Sequence, residues 1–326
     1  MAQVDSVDVV VVTFNSRAHF ARLRATLEAQ TRPFRLFVVD NASRAEERPA
    51  AADMPAGAEI MQMETNTGFA AGNNIAVRRS VAPFIALLNP DAFPEPDWLA
   101  RLVAAAQTTP DAAAFGSTQI SADDPAHFDG LGDCYHVAGI PWRGGYGWPV
   151  SVGARGGDTF SPCAAAALYR RSVWEKLGGF DERFFCYCED VDLGFRIRLA
   201  GHRIVQVADA VVHHVGGASS GKRSDFAVYH GTRNRLWTFV KNMPGLAFWL
   251  FLPAHAAMTL CFLAISPFRG TGPATWRGVG DGLKGLGPIL NARAEVQRAR
   301  KAKTSALLAA MAWSPFAMLR RAPVLR

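Results

Sequence analysis

An α/β domain on a mainly parallel sheet, followed by an apolar and then basic helical tail, is the architecture this 326-residue sequence predicts. Three observations predict it. Over the first ~110 residues, β-branched runs alternate with stretches of helical period, as in a parallel sheet with crossover helices. From Asn242 to Phe268 there is no Asp, Glu, Lys or Arg. Residues 269–326 then hold eleven Lys and Arg against two Asp and Glu, while the rest of the chain holds 24 against 26, so the pI of 9.4 belongs to the tail.

The elements follow in order. "VDVVVVTFNS" (7–16) is a continuous β-branched run closed by turn residues, which suits a buried parallel strand. Phe20, Leu23 and Leu27 recur at helical spacing within 17–30. A second strand covers 35–43 and a third 59–66; a helix covers 70–80 after a Gly-rich turn. Residues 83–92 form another buried strand, stopped by Asn-Pro-Asp, and 97–107 an amphipathic helix. A helix follows Glu189 and ends at Gly201, and "RIVQVADAVVHH" (203–214) supplies a further strand.

Several function classes are disfavoured. No G-x-G-x-x-G follows the first strand and no G-x-x-x-x-G-K-[ST] occurs, which weakens an NAD enzyme or a P-loop NTPase. Cysteines 134, 163, 186, 188 and 261 form no regular framework, so reduced thiols are expected. The N-terminus has acids and no basic leader and reads as a first strand. The basic tail carries no nucleic-acid recognition motif, so no nucleic-acid partner is expected; the apolar stretch before it favours an anionic membrane surface.

Polar residues gather where the strands end: Thr13 and Asn15, Asp40 and Asn41, Asn89 and Asp91. In a parallel sheet, ligands collect at that carboxyl edge. "FFCYCEDVDLGFRIRLAGH" (184–202) crowds Glu189, Asp190 and Asp192 beside apolar side chains. Such charge is costly unless a cation lies opposite or one carboxylate serves as a base.

With "VVVVTFNS", "VVDNAS", "NTGFAAGNN", "LLNPDA" and "GGFDERFFCYCEDVDLGFRIRLAGHRI" in this order, the chain resembles glycosyltransferase family 2, within it the rhamnosyltransferase-like branch of bacterial surface-polysaccharide synthesis. The resemblance runs from residue 6 to residue 240. It implies the nucleotide-diphospho-sugar transferase (GT-A) fold over 1–240, with a nucleotide-sugar half (6–115) and an acceptor half (116–240), followed by a membrane-associating helical region (241–326). Thr13, Asn15 and Asp40 would line the nucleoside pocket, and Asn66, Gly68 and Asn73 would pass under the nucleotide. "NPDA" stands where the family often has Asp-x-Asp: Asp91 would hold Mg²⁺ or Mn²⁺, while Asn89 replaces an acid and would reach the ribose. Asp190 would be the base that deprotonates the acceptor hydroxyl, with Glu189 orienting it and Asp192 decorating the first helical turn near Arg196 and Arg198. Either His213 or His214 would ligate the metal or touch the diphosphate. Lys222 and Arg223, after Ser219 and Ser220, would face the phosphates. Arg233 and Arg235 would serve an acceptor phosphate or start a helix. The Gly-, Trp- and Tyr-rich stretch 130–160 would be an acceptor-side lid or an irregular loop.

The implied reaction is inverting transfer, best matched to rhamnose from dTDP-rhamnose with UDP- and GDP-sugars open, to a glycan or polyprenyl-linked glycan. The expected place is the cytoplasmic face of the inner membrane, peripheral or monotopic. Residues 243–268 suit a span, an interface-lying helix or a buried hairpin. An inactive sugar-nucleotide-binding scaffold is the alternative, suggested by Asn89. A sugar nucleotidyltransferase is weaker, because "TFNSRAHF" is not a Gly-rich, Arg-containing loop.

Overall fold

The computed structural model describes residues 5–216 and 224–326. Its strands are β1 (Val7–Thr13), β2 (Arg35–Asp40), β3 (Glu59–Gln62), β4 (Phe84–Leu88), β5 (Ala92–Pro94), β6 (Ala112–Ser121), β7 (Phe128–Gly130), β8 (Asp133–His136), β9 (Ile140–Arg143), β10 (Gly157–Asp158), β11 (Ala166–Arg170) and β12 (Arg203–His214). Its α-helices are α1 (Arg17–Glu28), α2 (Gly68–Arg79), α3 (Trp98–Thr108), α4 (Arg171–Leu177), α5 (Glu189–Leu199), α6 (Asp225–Asn242), α7 (Gly245–Ile265), α8 (Gly272–Lys284), α9 (Leu286–Ala299), α10 (Thr304–Ala310) and α11 (Pro315–Leu319).

One sheet runs in the order β10-β12-β6-β11-β4-β1-β2-β3. β1 pairs in parallel with β2 and β4, β2 with β3, and β6 with β12; β11 lies antiparallel between β4 and β6. The β-branched run of β1 is buried at every position, because helices and loops cover both faces. On one face Phe20, Leu23 and Leu27 of α1 pack with Leu99 and Leu102 of α3. On the other, Ala70, Ala76 and Val77 of α2 pack with Leu193 and Ile197 of α5.

The expected 83–92 strand breaks into β4 and β5, because Asn89-Pro90-Asp91 turns the chain and Pro90 offers no N–H. The 130–160 stretch is not an irregular loop. It contains the antiparallel β8–β9 hairpin, with Cys134 opposite Trp142. Chain from the far C-terminus holds it: Trp142 Nε1 donates to Ala322 O at 3.1 Å and Trp148 Nε1 to Arg320 O at 2.9 Å. A third core joins this hairpin (Tyr135, Val137) to α5 (Phe195), α6 (Phe239), α7 (Ala247) and α10 (Leu307).

Candidate active site

β1, β2 and β4 run parallel, so Thr13, Asp40 and the turn after Leu88 meet at one sheet edge. A cleft of about 580 Å³ opens there. Thr13, Asn41, Asn66 and Gly68 line it from β1, β2 and the start of α2. Asn89, Asp91 and His214 line it from the β4 turn and the end of β12, and Asp133, Arg143, Glu189 and Asp190 from the hairpin and α5.

β12 alternates sides, so its two terminal histidines part company. His214 is buried; its Nδ1 lies 2.7 Å from Asp129 Oδ2 and its Nε2 3.4 Å from Asp91 Oδ1. His213 points away, with its Nε2 2.9 Å from Glu95 Oε1. Burial opposes charge on His214, yet the hydrogen bonds to Asp129 and Asp91 outweigh it and raise the imidazole above its ordinary range. Burial likewise pushes Asp91 up, but His214 holds it below the usual carboxylate range. This pocket therefore favours a positive charge at His214 Nε2, whether a proton or a cation. A carboxylate, an imidazole oriented through its other nitrogen by a second carboxylate, and the buried, unpartnered Asn89 Oδ1 fit a divalent ion with mixed O/N ligands.

The acidic cluster enters on a strained turn. Phe185, Tyr187 and Cys188 have φ of 65°, 71° and 65°, values costly for side-chain-bearing residues. α6 holds this turn from behind: Asn234 Nδ2 lies 2.8, 2.9 and 2.7 Å from the carbonyls of Phe184, Cys186 and Tyr187, and Arg233 Nη2 donates to Phe184 O at 2.9 Å. In front, Gly68 (φ +86°) lets the turn close, since a Cβ there would sit 2.6 Å from the Phe185 ring and carbonyl.

Asp190 accepts from Ala164 N (3.1 Å) and Val191 N (2.8 Å). Burial raises its carboxyl above the usual range, while these N–H groups and Arg143 restrain the rise. Burial, then the charge of Asp190, pushes Glu189 well above the usual range, and its Oε2 has no hydrogen-bond partner. Protonation is thus favoured more strongly at Glu189 than at Asp190 beside it. Asp133, Cys163 and Asp190 also cluster within 4.8 Å. Burial pushes the Cys163 thiol up to about 12, and the Arg143 cation already faces the trio, so it suits no hard cation.

Other expected residues lie elsewhere. Asp40 is buried and spends its carboxylate on Ser43 and Gln62. Asn15 bridges two strand-end turns, donating from its N to Ser43 Oγ and accepting from Arg44 N. Asn73 bonds back to Phe69 O within α2. None of the three lines the cleft among the described residues. Arg235 turns to Thr259 of α7 at 3.2 Å, and Arg233 serves the turn carbonyls. Asp192 is buried in ion pairs with Arg196 and Lys241. Lys222 and Arg223 lie outside the described residues. Residues not foreseen are Asp133 and Arg143, which reach the cleft through pairing of β8 to β9, and Asp129, which meets His214 behind it through pairing of β7 to β6.

Residues 8–178 match the family model of Glycosyl transferase family 2. The "N-acetylglucosaminyl-diphospho-decaprenol L-rhamnosyltransferase" of Mycobacterium tuberculosis (strain CDC 1551 / Oshkosh) is 29% identical over 257 residues, covering 69% of this chain and 82% of that protein. Among solved structures, S. aureus TarS 1-349 in complex with UDP-GlcNAc superposes with a TM-score of 0.56 at 16% identity, covering 94% of this chain and 90% of that one. The mannosyltransferase PcManGT from Pyrobaculum calidifontis, in complex with GDP-Man and Mn2+, gives 0.53 at 18%, covering 90% and 85%. These two likenesses concern the fold.

Proposed function

The chain belongs to glycosyl transferase family 2 and is a glycosyltransferase of GT-A fold, and from that premise we propose that it transfers a sugar with inversion from a nucleotide-sugar to a hydroxyl of a lipid-linked glycan. The observation that carries the reading is the cleft itself, with Asp91 and His214 at one strand end and Asp190 at the start of α5. L-Rhamnose from dTDP-rhamnose is the donor we favour, and a polyprenyl-diphosphate glycan the acceptor, supported by the name of the mycobacterial relative.

Asp91, His214 and Asn89 would hold Mg²⁺ or Mn²⁺. When bound, the ion supplies positive charge against the donor diphosphate. Thr13, Asn41 and Asn66 present polar groups to the nucleoside, and Thr13 Oγ1 is buried without a partner, open to a ligand's hydrogen bond. Asp190 accepts the proton of the acceptor hydroxyl as that oxygen attacks the anomeric carbon, whose bond to the donor diphosphate breaks to release the nucleoside diphosphate, and burial raises the Asp190 carboxyl in the direction a base needs. Glu189 lies beside Asp190 to orient the acceptor or the base. After the Ala164 and Val191 N–H groups, the Arg143 charge restrains the rise at Asp190.

Calorimetry of dTDP, UDP and GDP, each with and without Mn²⁺, identifies the donor class; binding of one nucleotide that depends on metal is the expected result. Asp190→Asn is expected to lower transfer by at least ~10³-fold while nucleotide affinity stays within about twofold. Full transfer by this variant would dismiss Asp190 as the base.

A further inference from the structure

α7 is long and apolar enough to cross a membrane, and its surroundings decide how it meets one. Its inner side is fastened to the protein along nearly its whole length. Phe251 packs on Trp313 with ring centroids 5.5 Å apart, and His255 Nδ1 lies 2.9 Å from Ala138 O of the cleft hairpin. Thr259 Oγ1 accepts from Arg235, whose guanidinium also sits 4.5 Å over the Phe262 ring, and Leu263 O accepts from Trp276 Nε1 at 3.2 Å. A helix so held cannot cross a bilayer without leaving these partners or drawing the buried Arg235 into hydrocarbon, where a cation is costly.

The outer side is different. Leu246, Trp249, Leu250 and Leu260 are 85%, 67%, 70% and 65% exposed, and no charged residue occurs in the helix. From Leu246 to Leu260 the stripe is about 21 Å long at 1.5 Å per residue, on a 21-residue helix. Beyond the helix, Phe268, Trp276, Trp313 and Phe316 are exposed as well. A water-facing helix with such a face is unexplained by packing. Exposed basic residues follow these side chains in sequence: Arg269 after Phe268, Arg277 after Trp276, and Arg320 and Arg321 after Leu319.

We infer that α7 lies in the plane of a membrane leaflet as a monotopic docking helix, with its outer stripe among the acyl chains and these arginines against anionic lipid headgroups. An apolar stripe with exposed arginines near it in sequence complements an anionic leaflet. The hairpin that walls the cleft is tied to α7 at Ala138 and to the segment after α11 at Ala322. If the transfer reading holds, the cleft would face a lipid-anchored acceptor on the cytoplasmic leaflet, where sugar nucleotides are available. The docking itself does not rest on that reading.

The test is flotation of the full chain with phosphatidylcholine vesicles and with vesicles containing phosphatidylglycerol. The protein is expected to float with the anionic vesicles, and less so in high salt. The pair Leu246→Glu and Leu250→Glu, on exposed positions, is expected to cut the floating fraction at least tenfold while nucleotide binding by calorimetry is unchanged. Arg269→Gln with Arg277→Gln is expected to weaken the preference for anionic lipid. Leu246→Cys and Phe268→Cys, each in a Cys261→Ser background, are expected to react with a membrane-impermeant maleimide in solution above the level of the parent, and both are expected to be shielded from it once the protein is bound to anionic vesicles. Failure to float, a dimer in solution that buries the stripe, or shielding of only one end would each overturn the inference.

Discussion

Arg143 sets the charge balance around Asp190. It pairs with Asp129, and its cation counteracts burial at Asp190 and at Asp133. Losing that cation favours the protonated acid, so the Asp190 carboxyl should rise further. A base is active only when deprotonated, so the acid limb of the kcat/KM profile for Arg143→Gln should move to higher pH by about one unit. An unmoved limb would separate Arg143 from the base. At this scale the sequence disclosed Asp91, His214 and Asp190, because each stands at the end of a recognisable strand or the start of a helix. It left the two histidines undivided, although strand alternation separates them. Arg143 and Asp129 were invisible for a physical reason: Asp129 meets His214 across 85 positions, through β7–β6 pairing that no local pattern encodes.

The element that matters most is the turn before α5, with α6 behind it. Three positive-φ residues in four positions hold Glu189 and Asp190 in place only while the carbonyls of the turn are bound, and Asn234 binds those of Phe184, Cys186 and Tyr187 from a position with no exposure. Asn234→Asp keeps the volume but replaces the donor amide with an acceptor facing those same carbonyls. The expected result is a fall in kcat of about 100-fold, the scale of a small misplacement of reacting groups. Nucleotide affinity should hold, because Thr13, Asn41 and Asn66 belong to β1, β2 and the approach to α2. Parallel loss of nucleotide binding and melting temperature would instead mark Asn234 as a general fold residue. "HGTRNRLW" drew attention to its arginines, whereas the asparagine between them holds the turn. An Asn in a helix gives no local sign that its partners lie about 50 residues upstream.

Across the whole molecule, the first six strands and helices were legible because each is a local pattern of apolar spacing. The return of the tail was not: Asp158 N donates to Arg326 O at 2.7 Å, a contact between chain segments that share no pattern. A buried charge network fastens α6, which leads into the tail, to α5 and the turn before it. Lys241 of α6 lies 2.6 Å from Asp181 and 3.0 Å from Asp192, and Asp192 also pairs with Arg196. Burial pushes both acids up, but Arg183 and Lys241 on Asp181, and Arg196 and Lys241 on Asp192, outweigh it and hold both below the usual carboxylate range. Acids depressed in the fold stabilise it fully above their unfolded value of about 3.9 and lose that contribution as pH falls through the folded values. Lys241→Met removes one cation from two buried anions, so urea unfolding at pH 7 should show a loss of about 3 kcal/mol. Below about 3.9 the unfolded acids take up protons and the contribution of the depressed pair begins to fade, so the gap between wild type and variant should narrow at pH 3. A gap of equal size at both pH values would mean that packing around the Lys241 stem, rather than its charge, joins the helical tail to the sheet.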